Sequence, residues 1–338
     1  MKSKNVLCGL AMAVVLQLGM LAGSAQAQNL FVSDGSGNIL EFTPGGAQST
    51  FASELGYAGG LAFDSAGNLF GTYGGASGSI IEITPGGVQT TFASGLYGPE
   101  GLAFDGKGNL FVACYNGPII EFTPGGAQSF FAGVPMIPVG LAFDSAGDLF
   151  VAIDSPHPNS SAIIELKPGG VFSVFANGLS GAAGLAFDSA GDLFVVSGGN
   201  IYEFTPGGVQ STFASGLSIP TGLAFDSSGN LFEADAGSGN IYEFTPGGVQ
   251  STFASGLNGP QQYLALAFQP VPKLAIILSG TNVILTWRTN TTAFTLQSTT
   301  NLVSPAIWNT NLPPPVVVNG QNAVTNPISG SQQFFRLQ

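Results

Sequence analysis

From Asn29 to Phe268, apolar residues alternate with polar or small ones in runs of four to six, and Gly, Pro, Asp or Asn breaks each run. The stretch Gly222–Leu257 holds four such runs, GLAFD, NLFEAD, NIYEF and VQSTFA. A period of two, with Phe, Ile, Leu and Val at the apolar positions, predicts strands. The runs are too short and too often interrupted for helices. A Thr-Pro-Gly-Gly type turn recurs at Thr43, Thr84, Thr123, Lys167, Thr205 and Thr245, at spacings of 41, 39, 44, 38 and 40 residues. That makes six units of about 40 residues, each with four strands. Gly199–Leu217 and Gly239–Leu257 are identical in sequence.

Four-stranded units of this length suit a closed propeller or an open solenoid. The ends of the pattern choose between them. The first unit opens at Asn29-Leu30-Phe31, on its second run, and Leu264–Phe268 is a first run with nothing after it. A C-terminal strand that completes the N-terminal unit closes the ring and leaves no open edge. The chain is therefore expected to be all-β, a six-bladed β-propeller over residues 28–270. In FDSAGNLF the Asp accepts backbone N–H groups and the Gly takes positive φ, so the many glycines read as turn residues. Buried Phe at LAF, NLF, EF and TFA supplies the main stabilising term, about 1.5–3 kcal/mol each.

The residues GLAFDSAGNLFVxD…IYEFTPGG resemble the NHL-repeat and gluconolactonase-like six-bladed propellers over about residues 28–270. These families include binding scaffolds as well as enzymes. From Pro270 a linker, QPVPK, leads into residues 271–338, whose Val/Ile/Thr-rich runs predict a small β-sandwich with Trp287, Leu296, Trp308 and Phe335 in its core. Its layout resembles the fibronectin-III or Ig-like modules appended to secreted bacterial proteins. That resemblance implies a spacer or a cell-surface attachment.

Composition adds a location. Lys2 and Lys4, apolar Val6–Leu21 and Ala25-Gln26-Ala27 read as a secretory signal peptide over residues 1–27, which makes the protein secreted or held at the cell surface. No later segment is apolar and long enough to span a bilayer. Cys8 leaves with the signal, and Cys114 remains alone as a small core residue near a strand end. Without Lys2 and Lys4, five basic residues face nineteen acids, a formal charge of −14. All nineteen acids precede residue 270, which marks a boundary and argues against nucleic acid as a partner.

Thirteen acids repeat from unit to unit at turns or strand ends and read as architecture. Six remain: Asp34, Glu54, Glu100, Asp154, Glu233 and Asp235. The loops around the mouth of the central channel would carry Asp34, Glu54, Tyr57, Tyr73, Glu100, Tyr115, Asp154, Thr221, Asp235 and Gln261, the expected ligand-binding rim. Asp34 and Asp235 hold one repeat position, where capping a turn and holding a ligand are both open. Glu100 precedes Gly101-Leu102-Ala103 where other units have Gly59, Val139, Ala183 and Thr221.

The gluconolactonase resemblance implies carboxylate and amide metal ligands just before the innermost strands. Here those positions hold Gly59, Glu100, Val139, Ala183, Thr221 and the pair Gln261/Gln262, with one carboxylate among them. Glu100 with Asp34 or Asp235 is thus a weak candidate site for a divalent cation such as Ca²⁺. His157, the single histidine, excludes multi-histidine zinc and copper sites. It lies in the insertion Ser155–Ser161, where a solvated loop residue and a catalytic base like that of streptogramin-lyase-type propellers are the alternatives. Glu100 and His157 are the catalytic candidates. The expected function is a non-catalytic propeller that binds a small molecule, glycan or protein at its rim. The alternative is a metal-assisted lactonase or related hydrolase, or a streptogramin-lyase-like enzyme.

Overall fold

The computed structural model describes residues 28–271 except 57, 75–76 and 258–263. Beyond 273 it describes 274–279, 282–288, 295–300, 307–310, 312–318, 321–327 and 333–337. The described residues are all β, with no helix long and apolar enough to cross a membrane among them. The expected signal peptide lies outside them. One compact unit spans Ala27–Val271, and Pro272–Gln338 belongs to another.

The first unit consists of four-stranded antiparallel sheets of the propeller kind. Numbered along the chain, sheet 1 holds residues 30–52, sheet 2 58–96, sheet 3 99–133, sheet 4 137–179, sheet 5 185–215 and sheet 6 220–255. Sheets 2 to 6 each run through four consecutive strands. Sheet 1 borrows its innermost strand, Leu266–Phe268, which pairs antiparallel with Leu30–Ser33 in the register Leu30↔Phe268 and Val32↔Leu266.

The repeated Phe residues explain how sheets stack. Phe111 of sheet 3 meets Phe131 of its own sheet edge-on at 4.9 Å and Phe143 of sheet 4 at 5.0 Å. The same arrangement recurs at every step, and Phe232 of sheet 6 meets Phe268 of sheet 1 at 4.9 Å. Edge-to-face pairs of this kind contribute about 0.5–1.5 kcal/mol beyond their buried area. Turn chemistry follows the sequence: Asp64, Asp105, Asp144, Asp188 and Asp226 each accept the backbone N–H groups two and four residues on.

The glycine of the GLAF run needs another account. It is a strand residue, and its neighbour is the next sheet's backbone. A Cβ at Gly140 would lie 2.2 Å from the Ala183 carbonyl oxygen, and one at Gly101 2.5 Å from that of Val139. Gly60, Gly184 and Gly222 meet the following strand in the same way. Five innermost strands thus approach their neighbours more closely than any side chain allows. Gly140→Ala should therefore cost about 1–3 kcal/mol, the usual penalty of overpacking, read as a lowered melting temperature. Gly86→Ala, where the nearest atom is 3.9 Å away, should leave it unchanged.

In the second unit, Ala275–Ser279, Asn282–Arg288, Gln321–Pro327 and Val316–Val318 form one sheet in that order, and Leu296–Thr299 pairs with Phe334–Leu337. Leu285, Trp287, Leu296, Val324 and Leu337 are buried in one cluster that Phe335 packs against. The Arg336 guanidinium lies 4.2 Å above the Trp308 ring.

Candidate active site

Each sheet of the first unit sends the start of its innermost strand to a common cavity of about 100 Å³. Its wall begins, sheet by sheet, with Gly59, Glu100, Val139, Ala183, Thr221 and Leu264. Leu264 holds the sixth place among the described residues. Gln261, Gln262 and Tyr57 lie outside the described residues.

Glu100 is the one carboxylate in this wall. It is half-buried, and burial alone pushes its carboxyl up to about 7. Its strand is held by Thr72, fully buried in sheet 2, whose Oγ1 donates to the Glu100 carbonyl at 2.7 Å and accepts from Gly60 N–H at 2.8 Å. Sequence reasoning missed Thr72. Its signal is a hydroxyl in a strand position that carries Ala113, Ala152, Val196 and Ala234 in four units and another hydroxyl, Ser33, in the first. Thr221 is also committed: Oγ1 lies 2.9 Å from the Ala234 carbonyl and accepts from Leu264 N–H at 3.1 Å.

The structure does not bring the other rim carboxylates to Glu100. The Asp235 carboxylate accepts four backbone N–H groups, from Ser218, Ile219, Gly237 and Ser238. Asp34 is bound by the amides and side chains of Ser36 and Asn38. Burial opposes its ionisation, but those hydrogen bonds outweigh it and hold the carboxyl below its ordinary value. Both cap turns. Glu54 is exposed at a left-handed φ of 63°, and half-buried Asp154 accepts from Ser155 N–H at 2.8 Å. His157 is exposed in its loop and lines no part of the cavity. Tyr73 is buried with its hydroxyl unpartnered, and burial raises its pKa strongly. Cys114 is buried at the end of its strand, as expected, with its thiol pushed up to about 11 by burial. Tyr115 is exposed and leans on Tyr97.

A calcium ion takes six to eight oxygens. The described cavity offers one free carboxylate and an engaged hydroxyl, and Asp34 and Asp235 spend their oxygens on amides. The described residues also hold no group of three or more His, Cys, Asp or Glu placed to share a metal. The described side chains alone do not complete a Ca²⁺ shell.

Glu233 is the second outlier. It is fully buried where other units place Val32, Gly71, Val112, Val151 and Val195. Neither carboxylate oxygen has a hydrogen-bond partner, and the Thr221 amide approaches without closing one. Burial, then the charge of Asp235, pushes the carboxyl up to about 9.

No family model and no curated protein matches the sequence. Solved structures do match. A virginiamycin B lyase from Staphylococcus aureus aligns with a TM-score of 0.52 at 16% identity, over 78% of this chain and 93% of its own. The fold is that of gluconolactonases and virginiamycin B lyases. A Xanthomonas campestris gluconolactonase aligns at 0.52 and 14% identity over 77% and 92% of the two chains. Regucalcin from Agrobacterium tumefaciens, described as a calcium-binding protein, aligns at 0.51 and 15% over 68% and 81%. At these identities the likeness is one of fold. It nonetheless corrects the expectation of a non-catalytic binder, because solved structures of this fold are named as enzymes, gluconolactonase and virginiamycin B lyase among them.

Proposed function

We propose that this chain is an exported hydrolase of the gluconolactonase-like class that opens a lactone or ester, with Glu100 as general base. The observation that carries the reading is the Glu100 carboxyl in the shared cavity, raised to about 7. A base works best with its pKa near the working pH. The ionised carboxylate takes a proton from water as that oxygen bonds to the carbonyl carbon. The C–O bond then breaks, and protonated Glu100 returns the proton to the departing oxygen. The six sheets serve as six blades of a closed propeller, and residues 271–338 as a small β-sandwich that tethers or spaces it. The fold of named lactonases and lyases supports this reading, as does the signal-like Lys2–Ala27 segment. The incomplete set of described donors favours chemistry without a resident divalent ion.

The test is turnover of a panel of sugar lactones and aryl esters by the mature chain, before and after exhaustive dialysis against a chelator. Hydrolysis at ordinary enzymatic rates, unchanged by chelation, is expected. No turnover across the panel would sink the hydrolase reading, and a rate lost to chelator and restored by Ca²⁺ would sink the metal-independent one.

A further inference from the structure

An exposed tyrosine pair at the strand ends next to Pro99 and Glu100 lines no part of the cavity and has no part in that reaction. Tyr97 and Tyr115 are 51% and 41% exposed, with ring centroids 6.0 Å apart and planes at 57°. The repeat does not ask for an aromatic at either place. Tyr97 stands where equivalent loops carry Ser180 and Ser218, and Tyr115 where they carry Gly35, Gly74, Gly198 and Ala236. The backbone accommodates the pair. Tyr115 N–H donates to the Gly98 carbonyl at 2.9 Å, and a Cβ at Gly98 would lie 2.7 Å from that of Tyr115. Pro99 and Glu100 follow at once, so the pair borders the wall that carries the catalytic carboxylate.

Charge narrows what the rings can hold. Between residues 28 and 271 the sequence has two bases, Lys107 and Lys167, against nineteen acids. Lys107 lies in the turn after an innermost strand, and Lys167 in a turn where it pairs with Asp148 and Glu165. Strand direction puts both turns at the end away from the tyrosines. Among the described residues the tyrosine end carries Asp34, Glu54, Glu100, Asp154 and Asp235, with His157 in the loop after Asp154 and no Lys or Arg. An anion finds no Lys or Arg there. A cation finds two open π faces and a negative field that concentrates it.

We propose that Tyr97 and Tyr115 dock an organic cation, a quaternary or protonated amine, carried by the ester or lactone whose carbonyl reaches Glu100. The substrate class rests on the hydrolase reading; the cation site does not. Cavity size agrees, since about 100 Å³ accepts the reacting end of a substrate and leaves its remainder on the rim. A cation docked there also favours the ionised, basic form of Glu100.

The experiment compares acetylcholine with its uncharged isostere 3,3-dimethylbutyl acetate as substrates of the mature chain, and titrates tetramethylammonium by calorimetry. The cationic ester should show a kcat/KM about 2- to 30-fold higher, the range open to a cation–π contact. Tetramethylammonium should bind, and Tyr97→Leu and Tyr115→Leu should close the gap and weaken that binding together. Equal kcat/KM for the two esters, or no tetramethylammonium binding to the wild type, overturns the docking site while leaving the hydrolase reading intact. Tetramethylammonium binding that the tyrosine variants abolish, with neither these esters nor the lactone and aryl-ester panel turned over, supports the site and sinks the hydrolase.

Discussion

Glu100→Gln should lower turnover by about 10²- to 10⁴-fold, the usual worth of a general base. The amide keeps the shape of the side chain and cannot accept the proton, so the loss falls on kcat more than on KM. In the wild type, kcat/KM should climb with pH up to about 7 and then level, because the active form is the ionised one and burial holds that carboxyl near 7. Glu100→Asp, shorter by one methylene, should retain part of the rate and move the rise to lower pH. Stopped assays across pH 5 to 9 separate these outcomes. A flat profile, or full activity in Glu100→Gln, removes Glu100 from the chemistry.

Glu233→Val should stabilise the fold by at least about 1–3 kcal/mol at pH 7, the cost of an unsatisfied buried polar group. Valine is what four other sheets carry at this place. The pH dependence gives a sharper reading. The folded chain keeps a proton on Glu233 up to about pH 9, while the unfolded chain releases it above about 4.5. Between those values the folded state binds more protons, so stability is greatest at low pH and falls as pH rises, by up to about 1.4 kcal/mol per unit. Glu100 adds to the slope only below about 7 and the buried Cys114 thiol only as pH nears 9, which leaves most of the window from pH 7 to 9 to Glu233. Urea midpoints across that window should fall in the wild type and stay level in both Glu233→Val and Glu233→Gln. Glutamine should flatten the slope without the full gain, since its amide is still unsatisfied. A wild-type midpoint that holds steady from pH 7 to 9 contradicts the buried neutral acid.

The repeat made much of this architecture readable in advance. Alternating Phe and Leu in GLAF, NLF and TFA fixes which residues face a neighbouring sheet, because in strands that depends only on parity. The lone GLAF-like run at Leu264–Phe268 announced its partner at Leu30. Glu100 was visible because it interrupts a row of Gly, Val, Ala and Thr. What the sequence concealed was the company each side chain keeps. Asp34 and Asp235 share a repeat position with Cys114 and Ile153, and only the backbone around them shows their oxygens turned to amides. Tyr97 was missed, since its contact with Tyr115 joins residues eighteen apart across two hairpin ends. The GLAF glycines looked like turns because nothing local distinguishes a residue freed for positive φ from one cleared for a passing carbonyl.

The pairing of Leu266–Phe268 with Leu30–Ser33 carries a consequence for the order of events in the cell. A ribosome or an export channel releases Leu30 more than two hundred residues before the strand that shields it, so the first sheet waits exposed until almost the whole unit has emerged. The loop-closure entropy of that contact is met in a single late step. The chain should therefore acquire protease resistance all at once, when residue 268 clears the channel, and a nascent chain stopped at residue 255 should remain digestible throughout sheet 1.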